Sequence, residues 1–174
     1  VCSSDLIAAE LDRLNRERQT IEAAAVEEAQ AEALASLGLA EQGAVVVTAK
    51  DGWHPGVVGL VASRLKEHFK RPAFAIGFIG QNGTGSGRSI VGVDLGRAVR
   101  TAVEKGILAK GGGHAMAAGV TVSKDRLGDF RAFLEETLAE PVARARADDA
   151  LFVDAALTAA GATPTLIEAF EQAG

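Results

Sequence analysis

The stretch from Ala44 to Ile79, AVVVTAKDGWHPGVVGLVASRLKEHFKRPAFAIGFI, decides the fold class. Its first five residues, 44–48, form a run rich in β-branched side chains, which is typical of a buried strand. Pro55 stands where the first residue of a helix would, and apolar residues then recur at helical spacing. The pair Arg71-Pro72 breaks this helix, and residues 73–79 predict a second buried strand. The strand–helix–strand order predicts an α/β domain.

The chain after Ile79 continues this alternation. Residues 81–87 predict a glycine-rich turn, followed by a third strand near residues 88–91. Asp94 predicts the N-cap of a second helix that Gly106 ends. A strand at residues 119–122 and a helix from Ser123 to about Glu140 complete the pattern. The whole order predicts an α/β fold with a mixed β-sheet and flanking helices.

The chain before Ala44 predicts one long helix, from about Leu6 to Leu37, ended by Gly38. A thin stripe follows helical spacing through Leu11, Leu14, Arg18, Ile21, Ala25 and Ala29. At ~1.5 Å per residue, a helix of this length spans roughly 45 Å, which is longer than a small domain needs. We therefore expect a helix that bridges two domains, preceding the α/β domain. An ordinary amphipathic helix lying on its own domain is the alternative.

The pattern divides the chain into four segments. We expect a bridging helix in 1–40, the α/β domain in 41–140, a linker in 141–150 and the start of a further domain in 151–174. The chain begins Val1-Cys2-Ser3, with neither a methionine nor the basic and apolar regions of a signal peptide. We therefore expect a fragment whose first six residues are not all native.

Composition narrows the class of protein. With 48% hydrophobic and 24% charged residues, the chain resembles ordinary globular domains. No segment approaches the roughly 18 consecutive apolar residues of a membrane span, so we expect no membrane partner. The single cysteine excludes an internal disulfide and favours a reducing compartment, and hence a cytoplasmic location. Twelve Lys and Arg but five Asp and Glu lie from Lys50 to Arg126, although the net charge is −5. A basic centre between acidic flanks favours an anionic ligand.

The segment from Gly111 to Gly119, GGGHAMAAG, is the first candidate binding element. Three glycines without Cβ atoms let a ligand approach the backbone N–H groups. His114 adds a side chain that donates hydrogen bonds. These residue types suit an extended anion such as a phosphodiester backbone, and a tight turn with a packed histidine is the alternative.

The second candidate element is Ser86-Gly87-Arg88-Ser89. The Arg88 guanidinium can donate two hydrogen bonds to one phosphate, and both hydroxyls can add donors. Glycines at 83, 85 and 87 would let these donors come close to the ligand. The alternative is that Arg88 is a surface arginine without a ligand.

Three motifs in order resemble the RecJ family of 5′-to-3′ exonucleases specific for single-stranded DNA. They are Trp53-His54-Pro55-Gly56-Val57-Val58-Gly59, then Ser86-Gly87-Arg88-Ser89, then Gly111-Gly112-Gly113-His114. The resemblance covers about residues 41–140, the domain that accompanies the catalytic domain of the DHH phosphoesterase superfamily. It implies a role in DNA recombination and repair, and the end of the chain from Leu151 resembles the start of an OB-fold domain.

The resemblance also implies site residues and cofactors. In the family the second and third motifs face the cleft and hold the nucleic acid, which assigns this role to Ser86, Arg88, Ser89, Gly112, Gly113 and His114. Family members hydrolyse phosphodiesters with Mn²⁺ or Mg²⁺, but their metal ligands precede the bridging helix. We therefore expect no catalytic or metal-binding residue here and no cleavage by this chain alone. Single-stranded DNA is the expected partner, together with single-strand-binding protein.

Two interpretations remain open for Trp53, and two for His54. The indole can stack on a base or be buried, and the imidazole can cap the following helix or contact ligand. His68 is given no function. Two other functions also remain open. One is a non-catalytic RNA- or tRNA-binding module like the alanyl-tRNA synthetase tail. The other is a phosphodiesterase for short oligonucleotides or cyclic dinucleotides.

Overall fold

The computed structural model describes residues 3–38, 42–147, 158 and 163–173. Five α-helices and five strands lie along these residues, with a short 3-10 helix at Lys124–Arg126. The helices are α1 Ser3–Leu37, α2 Pro55–Phe69, α3 Leu95–Glu104, α4 Leu127–Ala147 and α5 Pro164–Ala173. The strands are β1 Val46–Asp51, β2 Ala73–Ile79, β3 Asn82–Arg88, β4 Lys110–His114 and β5 Ala117–Ser123.

The five strands form one mixed sheet in the order β1-β2-β3-β5-β4. The first two strands are parallel, because helix α2 connects them as a crossover. All other neighbouring strands are antiparallel. Short turns connect β2 to β3 and β4 to β5, whereas β3 and β5 are neighbours in the sheet without following each other in the chain. The predicted α/β class, with a mixed sheet and flanking helices, is confirmed.

Side-chain alternation along the strands creates two cores, one on each face of the sheet. Val46, Ala73 and Ala75 pack with α1 and α2 on one face. Phe74, Ile76 and Phe78, together with residues of β5, pack with α3 and α4 on the other. The consequence is a three-layer arrangement in which two pairs of helices cover opposite faces.

The glycine-rich segment is a strand, so the predicted turn at residues 81–87 and the strand at 88–91 are wrong. β3 ends at Arg88, and its glycines face the core that α3 and α4 cover. A Cβ at Gly83, Gly85 or Gly87 would lie 2.4–2.6 Å from the side chains of Phe78, Ile76 or Phe74, respectively. These glycines leave room for large neighbours on β2, and they do not serve to bring donors close to a ligand.

The predicted helix boundaries are confirmed at three points. Pro55 is the first residue of α2. The Asp94 carboxylate caps α3 by accepting a hydrogen bond from the Arg97 N–H at 2.9 Å. Gly38 follows α1 with φ +69°, and its N–H donates to the Leu34 carbonyl at 3.0 Å.

The end of α4 differs from the prediction. The helix continues through Pro141 to Ala147, over residues that we predicted as the first part of a linker. Val142 is buried beside Leu138 in the core against α3, and this packing favours continuing the helix beyond the proline. Residues 148–157 and 159–162, which include the end of the predicted linker and the start of the predicted further domain, lie outside the described residues. Helix α5 begins at Pro164.

Helix α1 has two unlike halves. In its second half, Ala25, Ala29 and Ala33 are buried against α2. In its first half the large apolar residues are exposed, namely Leu6, Ile7, Leu11 and Leu14, and Ile21 just beyond it is exposed as well. A bridging role for α1, and the boundaries of the predicted segments, stay predictions. Among the described residues, no helix combines the length and apolar character that a membrane span requires.

Candidate functional site

One face of β3, β5 and β4 carries the candidate site. Residues paired across antiparallel strands point to the same side of a sheet, and here they form three rows. The rows are Arg88–Ala117–His114, Ser86–Gly119–Gly112 and Thr84–Thr121–Lys110. We call these nine residues the open face. It lies opposite the core-facing glycines of β3, on the same side of the sheet as α2.

The β5 and β4 parts of the open face are uncovered because α1 and α2 do not extend across them. Helix α2 packs on β1, β2 and β3. Beyond β3, a Cβ at Gly112 or Gly119 would meet no atom within 4 Å. In the middle row, the backbone at Gly112 and Gly119 is therefore bare beside the Ser86 side chain. An extended ligand could lie directly on the sheet there.

Arg88 is held at the border between α2 and the open face. Its Nη1 donates to the Ser86 Oγ at 2.7 Å and to the Gly87 carbonyl at 3.0 Å. Its Nε and Nη2 have no hydrogen-bond partner among the described residues, and the side chain is half-buried. The guanidinium is thus fixed in position while two nitrogens keep the capacity to donate to a phosphate.

The open face is positively charged. Arg88 and Lys110 lie at opposite corners, and His114 is exposed at the end of the first row. None of its side chains is a carboxylate, and the structure describes every residue of these three strands. Lys110 lies beyond hydrogen-bond reach of any described carboxylate. The arrangement therefore favours an anion along the sheet.

Ser89 does not belong to this face, in contrast to the prediction. Its side chain is 1% exposed, and its Oγ donates to the Val93 carbonyl at 2.7 Å. The hydroxyl closes the loop that follows β3 and has no access to a ligand. Ser89 lies one residue after Arg88, where the chain has left the strand and the alternation of faces no longer holds.

Gly113 also has a structural role. Its φ is +152°, a conformation that favours glycine. A Cβ there would lie 2.3 Å from the Ala117 carbonyl oxygen and 2.6 Å from the Ala118 Cα. The missing side chain of Gly113 serves the β4–β5 hairpin. Of the three consecutive glycines, Gly112 is the one whose missing side chain leaves open space.

Trp53 is buried, with 6% of its surface exposed, so its ring offers no free face to a base. Its Nε1 donates to the Glu28 carboxylate at 3.0 Å, and Lys50 pairs with the same carboxylate at 2.6 Å. The hydrogen bonds from Lys50 and Trp53 lower the pKa of Glu28. This group fastens α1 to the end of β1, and the stacking interpretation of Trp53 is wrong.

His54 caps helix α2. Its Nδ1 accepts a hydrogen bond from the Gly56 N–H at 3.0 Å, as one of the two interpretations predicted. The ring is exposed. His54 lies before α2, outside the nine residues of the open face.

The described residues do not fit a metal centre. No three His, Cys, Asp or Glu side chains within that part of the chain lie together so that they could hold an ion. The polar side chains of the open face are hydroxyls, cations and one imidazole, whereas divalent cations are usually bound by carboxylates or several imidazoles. The site is suited to an anion and not to Mg²⁺ or Mn²⁺.

Five residues of the open face were not among the predicted site residues, namely Thr84, Lys110, Ala117, Gly119 and Thr121. The sequence does carry a signal for the first of them. In Gly83-Thr84-Gly85-Ser86-Gly87-Arg88 every second residue is glycine, which is the period of a strand with one bare side. Lys110 and Thr121 join the face through strand pairing, which becomes visible only in the structure.

Residues 41–140 match the DHHA1 domain family. The single-stranded-DNA-specific exonuclease RecJ of Bacillus subtilis is 44% identical over 132 residues, which cover 75% of this chain and 16% of that protein. The RecJ of Dickeya dadantii is 33% identical, with 100% of this chain and 31% of that protein covered. This chain therefore spans less than a third of the length of these relatives.

Solved structures of RecJ proteins are also similar to this chain, which again covers only part of them. The crystal structure of RecJ from Thermus thermophilus in complex with Mg²⁺ has a TM-score of 0.62 and 33% identity, covering 76% of this chain and 20% of that one. A crystal structure of exonuclease RecJ bound to manganese has a TM-score of 0.65 and 32% identity, covering 80% of this chain and 34% of that one.

Proposed function

This chain belongs to the DHHA1 domain family, and on that premise we propose that its open face grips the substrate strand of a 5′-to-3′ exonuclease specific for single-stranded DNA. The substrate class comes from the RecJ relatives, and the 5′ polarity comes from the resemblance of the three motifs. The grip itself is argued from the site. Hydrolysis of the phosphodiester would serve DNA recombination and repair.

The observation that carries the proposal is the middle row of the open face. Gly112 and Gly119 leave bare backbone beside Ser86, and Arg88 is fixed at the edge of that surface. The sugar-phosphate backbone of a single strand could lie along the bare backbone at Gly112 and Gly119. Arg88 and Lys110 would then contact its phosphates. Contacts of this kind carry no base sequence information, which suits a nuclease that degrades any sequence.

We place the cleavage chemistry outside this site. The RecJ structures hold Mg²⁺ or Mn²⁺, and two-metal hydrolysis requires converging carboxylates and imidazoles. The open face has one imidazole, His114, and no carboxylate among its described side chains. We therefore propose that the chain by itself binds DNA without cleaving it. A partnership with single-strand-binding protein and a cytoplasmic location stay predictions.

The test is a binding measurement on this chain by fluorescence anisotropy. The ligands are labelled 5′-phosphorylated oligo-dT, a matched duplex and a tRNA, each at two salt concentrations. We expect the single strand to bind most tightly, with an affinity that falls as salt rises because phosphate contacts release counterions. Preference for tRNA would support the RNA-binding alternative. Equal binding of all three, or none by a folded sample, would contradict the proposal.

A further inference from the structure

Helix α2 contains a glycine at a position where its own stability would favour a larger residue. Gly59 is the fifth residue of α2. Glycine inside a helix is less favourable than alanine by about 1 kcal/mol. The backbone φ angle of Gly59 is not positive, so the backbone conformation does not require glycine. The reason for glycine at this position must lie in what surrounds it.

The neighbour of Gly59 is the candidate phosphate-binding group. A Cβ on Gly59 would lie 3.1 Å from Arg88 Nη2, 3.6 Å from Ser86 Oγ and 3.9 Å from the central carbon of the guanidinium. These are the three atoms nearest to the Cβ position, and all belong to Arg88 or Ser86. The first distance is tighter than ordinary van der Waals contact, so one added methyl group would require the guanidinium to shift from α2 by a few tenths of an ångström.

The position of the guanidinium matters because its nitrogens are divided between two tasks. Nη1 is held by Ser86 Oγ and by the Gly87 carbonyl. Nη2 lies against Gly59, and neither it nor Nε has a hydrogen-bond partner among the described residues. Those two nitrogens form one edge of the guanidinium fork, the geometry that binds two oxygens of one phosphate.

We infer that Gly59 is a positioning residue for anion binding: its missing side chain lets the Arg88 guanidinium lie against α2 with its Nε–Nη2 edge directed to a phosphate. This inference rests on the proposed function. Gly59 does not touch the ligand and acts through Arg88. It predicts that stability and binding separate, because the alanine variant gains helix propensity and loses affinity.

The experiment compares four proteins, namely the wild type, Gly59→Ala, Arg88→Ala and Gly128→Ala. Gly128 is the matched control, because it also lies in a helix, α4, and a Cβ there would meet nothing within 4 Å. For each we measure the thermal unfolding midpoint and the affinity for 5′-phosphorylated oligo-dT. Gly59→Ala should unfold at or above the wild-type midpoint and bind about tenfold more weakly, as for one lost charged hydrogen bond. Gly128→Ala should bind like the wild type.

A double substitution separates positioning from a general structural effect. In the Arg88→Ala background, Gly59→Ala should change the affinity no further, because the group that it displaces is gone. An equal loss in both backgrounds would overturn the inference. Wild-type affinity in Gly59→Ala, when Arg88→Ala alone binds weakly, would overturn it as well and leave the proposed function intact.

An NMR measurement tests the contact between Gly59 and Arg88, on which the inference depends, separately from DNA binding. The Arg88 Nε–H signal reports on the surroundings of the guanidinium. It should move in Gly59→Ala and stay in place in Gly128→Ala. An Arg88 signal that is the same in all three folded proteins would overturn the inference.

Discussion

The two sets of glycines in this sheet look alike in the sequence and differ in what surrounds them. On β3, Gly83, Gly85 and Gly87 face the core, where an added Cβ would lie within 2.6 Å of a phenylalanine or isoleucine side chain. Across the neighbouring strands, Gly112 and Gly119 face outward, where an added Cβ would meet nothing within 4 Å. Both sets lie in regular strands.

The difference separates glycines that the fold requires from glycines that it does not. Packing explains the first set completely, because Phe74, Ile76 and Phe78 fill the space. Neither packing nor a positive φ explains the second set. Glycine is unfavourable in a strand interior, and this is the reason that we propose a ligand on the sheet at Gly112 and Gly119.

Substituting a core-facing glycine should have the largest effect. In Gly87→Val the new side chain would meet the Phe74 ring, to which even a Cβ would be 2.4 Å distant. Overpacking of this kind destabilises by about 3 kcal/mol or prevents folding. Urea unfolding measures the change in the free energy of unfolding. A Gly87→Val protein as stable as the wild type would remove the packing explanation for this set.

Removing the charged group beside the open face should weaken binding without a comparable loss of stability. Arg88→Ala should lower the affinity for 5′-phosphorylated oligo-dT by roughly 1–3 kcal/mol, the range for hydrogen bonds to a charged group. The slope of log affinity against log salt should fall by about 1. Anisotropy titrations at several salt concentrations measure both quantities. A folded variant with unchanged affinity and slope would locate the grip elsewhere.

An outward-facing glycine should give the smallest effect and the clearest contrast with Gly87. Gly112→Val places a β-branched side chain in a strand with open space before it, so stability should change by less than about 0.5 kcal/mol. The side chain would keep the ligand from the backbone and weaken binding by about 1 kcal/mol, the value of one hydrogen bond. The same unfolding and anisotropy measurements apply. Stable protein with wild-type affinity would show that no ligand lies on this row.

The sequence predicts the helices and strands in which apolar residues recur at helical spacing or form continuous runs. β1, α2, β2 and α3 follow from runs of β-branched residues, from helical spacing and from the caps at Pro55 and Asp94. β3 and β4 were missed because glycine, which has no side chain to bury, indicates turns more often than strands. The end of α4 was missed because Pro141 suggested a break, while the burial of Val142 continues the helix.

The candidate site was predicted in part. Ser86, Arg88, Gly112 and His114 lie on one face, as the motifs suggested. Ser89 and Gly113 do not contribute side-chain space to it, because a buried hydrogen bond and a hairpin conformation decide their roles. Sequence adjacency cannot distinguish Ser86 from Ser89. Strand alternation can, but only once β3 is known to be a strand.

The most direct test of the account is an NMR titration of the ¹⁵N-labelled chain with 5′-phosphorylated oligo-dT. If the open face binds the strand, the amide signals that move most should be those of Ser86, Arg88, Gly112 and Gly119, with smaller changes at the start of α2. The signals of α3 and α4, on the opposite side of the sheet, should remain in place. Shifts confined to α3 and α4, or to α1, would contradict the account.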